Sequence, residues 1–219
     1  MTDPLRAAVA DAARRLAAAG LLIGTAGNVS AREGDRIAVT ATGVTLADAT
    51  PGEVTVVGID GRLIEGELEP TSEIELHLGI YADQPACAVV HTHAPYATAL
   101  ACVLDELPVL HYQQLALGGE IRVAPYATFG SAELAAGVRT ALAGRQAALL
   151  ANHGSVTVGG TLAQAVDHAL LLEWLCQLHH RASRLGTPRV LSAQQQEEVV
   201  LAALSRGYGA TRPIREEQP

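Results

Sequence analysis

Apolar positions recur along the chain at two spacings. Leu5, Val9, Ala12 and Leu16 lie three or four residues apart, as one helix face requires, with Pro4 opening that helix and Gly20 closing it. A Gly-rich loop is expected over residues 24–30, then strands over 36–42 and 54–59, with Asp60-Gly61 turning the chain into Arg62-Leu63-Ile64. Thr71 or Ser72 can cap a helix carrying Glu73, Ile74, His77, Leu78 and Tyr81 that ends before Pro85. The apolar run 86–90 reads as a buried strand, followed by a helix over 95–103 and extended pieces at 109–112 and 121–124. Leu134, Val138 and Leu142 stripe a helix over 131–142, and a second apolar run covers 147–151. Thr161 starts a long helix through Trp174 to about residue 185, and Ser192 with Gln195 forms a capping box for a last helix ending near Arg206-Gly207. Helices and strands interleave, yet hairpin signals coexist with them. The pattern predicts an α/β sandwich: one domain over 1–219, a central mixed, largely antiparallel sheet flanked by helices, and a polar C-terminal tail over 209–219.

Length and composition sharpen this picture. A chain of 219 residues with 49% hydrophobic and 17% charged positions can bury one sizeable core. The formal charge of -8 argues against general binding to nucleic acid or anionic membrane, while leaving room for a small anion in a locally positive site. All fifteen basic residues are arginine. Without lysine, a Schiff-base aldolase, a pyridoxal phosphate enzyme and a Walker-type nucleotide site are excluded, so any carbanion stabilisation falls to a metal. Cys87, Cys102 and Cys176 are odd in number and lie in apolar contexts, which predicts buried free thiols and a reducing, cytoplasmic location. Charged residues interrupt the N-terminal apolar positions, so neither a signal peptide nor a membrane span is expected.

The candidate chemistry sits where the two apolar runs end. His91-Thr92-His93 follows the first and Asn152-His153-Gly154 the second. In a strand, side chains two apart share a face, so His91 and His93 point the same way. A His-x-His pair alone is equally two satisfied histidines at a strand end. With His153 delivered by a second strand, the set becomes three neutral nitrogen ligands, which suits zinc or another divalent transition metal with one position open to substrate. His168, His179 and His180 fall within a helical pattern and read as packing or solvent-facing. His77 and His111 lie near the motifs without an evident ligand role. Glu73 has two readings: an acidic residue favouring its helix start, or a fourth ligand or general base. Thr71, Ser72, Asn28, Gly27, Thr42 and Gly43 are ordinary turn and cap residues that together can hold phosphate oxygens.

Taken in order, Gly27-Asn28-Val29-Ser30, Thr40-Ala41-Thr42-Gly43, Pro70-Thr71-Ser72-Glu73, His91-Thr92-His93 and Asn152-His153-Gly154 resemble the zinc-dependent class II aldolases of the L-fuculose-1-phosphate aldolase type. His111-Tyr112, the segment 124–130 and Tyr208 extend the resemblance over nearly the whole chain. The resemblance implies that His91, His93 and His153 hold Zn2+, with Glu73 as fourth ligand, general base or both. It also implies that Asn28, Thr42, Gly43, Thr71 and Ser72 cradle a sugar phosphate. Glu73 would handle the carbon proton, Tyr112 from a neighbouring subunit the C4 oxygen, and Tyr208 would close over the aldehyde end of a homotetramer with shared sites. The implied reaction is reversible cleavage of a ketose 1-phosphate, foremost L-fuculose 1-phosphate, to dihydroxyacetone phosphate and an aldehyde. Aldolases for 5-deoxy-pentulose 1-phosphates, a methylthioribulose-1-phosphate dehydratase, a pentulose-phosphate 4-epimerase and a non-catalytic adducin-like binding protein are the alternatives. The epimerase pattern has aspartate where this chain has Glu73, and the adducin head lacks the metal histidines.

Overall fold

The computed structural model describes residues 3–209. Residues 210–219, most of the expected tail, lie outside the described residues. One nine-stranded sheet organises the chain, with strand order β4-β3-β2-β1-β5-β9-β8-β7-β6. The strands are β1 (Asn28–Glu33), β2 (Arg36–Thr40), β3 (Val54–Gly58), β4 (Leu63–Glu65), β5 (Ala88–Thr92), β6 (Glu106–Leu107), β7 (Ile121–Ala124), β8 (Ala147–Leu150) and β9 (Gly154–Gly159). Neighbours pair antiparallel except β7 and β8, which run parallel. The mixed, largely antiparallel α/β sandwich is therefore as the pattern predicts.

The pleat sends alternate residues to two cores. On one face α1 (Pro4–Ala18), α3 (Pro95–Ala101) and α5 (Leu162–Leu185) bury Leu5, Val9, Leu16, Leu100, Val166 and Leu172 against Val29, Val90 and Leu149. On the other, α2 (Ile74–Asp83) and α4 (Ala132–Leu142) bury Leu76, Ile80, Leu134, Val138 and Leu142 against Val89, Leu150 and Val156. The final helix α6 (Ala193–Arg206) carries the expected capping box, in which Ser192 accepts from the Gln195 N–H and Gln195 accepts from the Ser192 N–H. Among the described residues, no helix is long and apolar enough to cross a membrane.

Four expectations change. The loop over 24–30 ends early, because Asn28 already opens β1, a central strand that pairs with both β2 and β5. β9 is a strand the patterning did not single out: its buried Val156 and Val158 alternate with Ser155 and Thr157. The extended piece at 109–112 is not a strand; its last residue starts a 3-10 turn, Tyr112–Leu117, where the His111 ring nitrogen accepts from the Gln113 N–H. Of the three free thiols only Cys176 is buried, while Cys87 and Cys102 are exposed. Cys87 sits before the first residue of β5 and Cys102 caps the end of α3, so neither reaches a core.

Candidate metal centre and active site

Three chain segments meet at one end of the sheet. Asn28 on β1 and His91 on β5 are direct cross-strand partners, and both face α2. Close backbone approach brings His153 beside them. A Cβ on Gly154 would stand 2.2 Å from the Thr92 carbonyl oxygen, and one on Gly27 would stand 2.7 Å from the His91 carbonyl oxygen. Glycine at both positions is what lets the His153 turn and the Gly27 turn close on β5. Asn152 completes the turn with φ 55°, a left-handed conformation that asparagine tolerates better than most residues.

The three imidazoles stand around a common point. Their ring centroids are 4.8–4.9 Å apart pairwise and the planes cross at 67–82°. One ligand nitrogen from each lies within 4.8 Å of the others. His91 Nδ1 donates to the Ser155 carbonyl oxygen at 3.0 Å, which leaves the Nε2 of a neutral ring as a lone pair aimed at the cluster. The His93 Nε2 lies 3.0 Å from it, a separation at which two ring nitrogens need a shared proton or a cation between them. Burial, above all, lowers His93 to a pKa of about 4 and lowers His153 as well, so both rings present neutral nitrogens at pH 7. The donor set therefore fits a divalent metal.

Glu73 adjoins this triad. It occupies the cap position of α2, but its side chain makes no cap hydrogen bond; the Glu73 N–H instead donates to Thr71 Oγ1 at 3.3 Å. Glu73 thus sits at the helix start without a capping hydrogen bond of its own. Oε2 accepts from Asn28 Nδ2 at 2.9 Å and lies 3.2 Å from His91 Nε2, whereas Oε1 is buried without a hydrogen-bond partner, 3.6 Å from His153 Nε2. Burial pushes this carboxyl up, but the His91 contact and the Asn28 hydrogen bond outweigh it and hold the pKa at about 2. An ionised carboxylate with one orphaned oxygen beside three imidazole nitrogens is placed for metal ligation or for proton transfer.

A cavity of about 460 Å³ opens over His93, His153 and Glu73, with the fully buried His91 behind them. Asn28, Thr42, Gly43, Thr71 and Ser72 line its other side. A bridge between Ala41 and Pro70, with the Thr42 N–H donating to the Glu69 carbonyl, holds the 42–43 and 71–72 turns next to each other. Tyr126, Ala127 and Phe129 supply an apolar flank; Tyr126 and Phe129 are mostly exposed at its mouth. Among the described residues no lining side chain is arginine, so an anion there meets hydroxyls, amides and the start of α2.

Two expected residues stand elsewhere. Tyr112 and Tyr208 hydrogen-bond to each other, hydroxyl to hydroxyl at 3.0 Å, and line an apolar cleft between the 3-10 turn and α6. His111 likewise belongs to a separate hollow beside Leu191 and Gln195, not to the histidine cluster. His168 is a packing residue whose Nδ1 donates to the Val158 carbonyl oxygen at 2.7 Å. His77, assigned no role from its spacing, is fully buried two hydrogen bonds behind Glu73, through Asn28, and burial lowers its pKa to about 3.

With this geometry in place, comparison with known proteins identifies the class. The Class II Aldolase and Adducin N-terminal domain family matches residues 7–180. The 5-methylthioribulose-1-phosphate/5-deoxyribulose-1-phosphate aldolase of Rhodospirillum rubrum is 39% identical over 95% of each chain. The L-fuculose phosphate aldolase of Escherichia coli K12 is 38% identical over 83% of this chain and 85% of its own. A solved structure of an L-fuculose 1-phosphate aldolase superposes with a TM-score of 0.88 at 32% identity, covering 95% of this chain and 98% of that one. This chain belongs to the class II aldolase and adducin family. Its intact histidine triad makes it a metal-dependent aldolase of that family.

Proposed function

We propose that this protein is a Zn2+-dependent aldolase that reversibly cleaves a 5-deoxy-pentulose 1-phosphate into dihydroxyacetone phosphate and a two-carbon aldehyde. One observation carries the reaction type: the orphaned, buried Glu73 Oε1 beside three converging imidazole nitrogens, at a cavity lined on its other side by neutral polar residues. The five-carbon substrate is favoured over L-fuculose 1-phosphate because the relative named for it aligns over 95% of both chains, against 83% for the fuculose relative. L-Fuculose 1-phosphate is the second reading, since both sugars end in a methyl group that the Tyr126 and Phe129 flank suits.

A divalent ion on His91, His93 and His153 supplies Lewis acidity toward the ketose oxygens and the positive charge a lysine-free chain lacks. Thr42, Gly43, Thr71 and Ser72 hold the phosphate with hydroxyl and amide donors at the positive end of α2, and Asn28 offers its remaining amide proton. In the synthetic direction ionised Glu73 removes a proton from C3 of dihydroxyacetone phosphate. The new C3–C4 bond forms as that carbon's electron pair attacks the aldehyde carbonyl, and Tyr112 of a neighbouring copy donates a proton to the C4 oxygen. Cleavage is the reverse, with Tyr208 covering the aldehyde.

The assembly is part of the proposal. Within one chain Tyr112 and Tyr208 are absent from the histidine cavity, while α6 leaves Val200, Leu201 and Leu204 exposed around them. A closed ring of four copies repeats one heterologous contact and brings these tyrosines over a neighbour's cavity. We assign 1–219 as a single domain in a reducing, cytoplasmic setting, consistent with three free thiols. Assaying dihydroxyacetone phosphate release from a panel of ketose 1-phosphates tests the reading. Turnover is expected to favour 5-deoxyribulose 1-phosphate; water loss or epimerisation without dihydroxyacetone phosphate overturns the aldolase assignment.

A further inference from the structure

Behind Glu73 a line of buried polar side chains runs away from the cavity. Asn28 Nδ2 donates to Glu73 Oε2 at 2.9 Å, and Asn28 Oδ1 lies 2.5 Å from His77 Nε2. His77 Nδ1 lies 2.6 Å from Ser30 Oγ, which lies 2.7 Å from the Tyr81 hydroxyl. All five residues are at most 5% exposed. The line exists because two periods match. Glu73, His77 and Tyr81 are four apart along α2, about 6 Å per step, while Asn28 and Ser30 are two apart along β1, about 6.6 Å.

Donor and acceptor rules fix every direction in this line. An ionised carboxylate only accepts, so the Asn28 NH2 must face Glu73 and its oxygen must face His77. His77 Nε2 therefore carries a proton, and in a ring buried enough to stay neutral Nδ1 is then an acceptor. Ser30 must give its proton to Nδ1, and its oxygen accepts the Tyr81 proton. Each hydrogen bond points toward Glu73. Oε2 is thereby engaged by Asn28, leaving Oε1 as the oxygen free to act.

We propose that Ser30 and His77 are positioning residues that lock the Asn28 amide, and through it select Glu73 Oε1 as the reactive oxygen. The inference rests on the aldolase reading for its kinetic consequence but not for its structural one. Two measurements separate them. In metal-loaded protein labelled with 15N-histidine, the His77 resonances, identified by their loss in His77→Gln, should show a protonated Nε2 and an unprotonated Nδ1 throughout about pH 6–8. An Nδ1–H tautomer or an imidazolium in that range overturns the proposal, with no substrate involved. Kinetically, His77→Leu should lower kcat and solvent-proton exchange into dihydroxyacetone phosphate by ~10–100-fold, as outer-shell changes at metal sites do, with full metal content and KM within about 3-fold. His77→Gln, whose amide N–H can reach Asn28 Oδ1, should recover most of that loss. If His77→Leu does not fold, Ser30→Ala serves, with a smaller fall in kcat and a mixed His77 tautomer. Unchanged kcat and exchange in a folded variant overturn the proposal. The predicted tautomer in a protein that cleaves no ketose 1-phosphate overturns the aldolase reading instead.

Discussion

Gly154→Ala places a single methyl group where the geometry has no room for it. The added Cβ would stand 2.2 Å from the Thr92 carbonyl oxygen and 3.4 Å from His93 Cδ2, whereas ordinary contact begins at 3.4 Å. The backbone must open by about 1 Å, because a peptide oxygen inside a sheet cannot rotate away as a flexible side chain can. Overpacking of this kind costs ~1–3 kcal/mol. The functional cost is larger, because His153 is the adjoining residue and metal–ligand distances tolerate only about 0.2 Å. We expect ~10–100-fold weaker metal binding, read by competition with a chromophoric chelator, and ~100-fold lower turnover from misplacement of about 1 Å. Gly160→Ala is the control: its Cβ would meet only Gln164 Oε1 at 3.4 Å, and it should bind metal normally. A Gly154→Ala protein with parental metal affinity and an unchanged urea midpoint would refute the close-approach argument.

Glu73→Gln should fold and keep its metal while losing ~100- to 10,000-fold in turnover, since an amide cannot exchange a proton with carbon; normal solvent exchange into dihydroxyacetone phosphate would return Glu73 to a structural role. His93→Ala should lose most bound metal by elemental analysis together with its activity, and full activity after exhaustive chelation would remove the metal from the reaction. Burial holds His77 at a pKa of about 3 against an unperturbed 6.5. Between those values the unfolded chain binds the extra proton, so the His77 contribution to stability is complete above pH 6.5 and lost as the pH falls toward 3. The slope is at most ~1.4 kcal/mol per pH unit. Urea unfolding of His77→Gln should show a flatter acid limb than the parent, and an identical limb counts against a buried neutral ring. Glu73→Gln and Tyr112→Phe proteins, each impaired alone, should regain activity after co-refolding if neighbouring copies share sites; a monomer by light scattering, or no recovery in confirmed mixed oligomers, refutes that assembly.

Much of the fold was legible because its helices obey a single period each. Leu134, Val138 and Leu142 face one core, and the Ser192–Gln195 box marks the helix start that the structure shows. β9 was harder to read, because Gly154 and Ser155 open it beside a turn and its alternation spans only a few residues. The histidine triad was legible for a related reason: two apolar strands end at imidazoles, and β5 and β9 are antiparallel neighbours, so the exit of one lies beside the entry of the other. Tyr112 and Tyr208 stand outside this cavity within one chain, hydrogen-bonded to each other, and nothing in their spacing links them to the histidines.

β1 was hidden for the reason that makes the site. Asn28-Val29-Ser30-Ala31 alternates cleanly, but its polar half reads as solvent-facing, and a polar-out strand next to Gly24 and Gly27 looks like loop. Asn28 and Ser30 instead point into the molecule, where the apolar stripe of α2 gives way to Glu73, His77 and Tyr81. Neither polar set is stable in a core alone, because each unpaired buried group costs ~1–3 kcal/mol. Together they satisfy one another at every link except Glu73 Oε1. The signal was present as two short periods, four along residues 73–81 and two along 28–30, but it becomes visible only when helix and strand are laid side by side. A buried polar line that closes all its hydrogen bonds but one, in a residue that lines a cavity, is what singles out Glu73 Oε1 for the proton-transfer role proposed above.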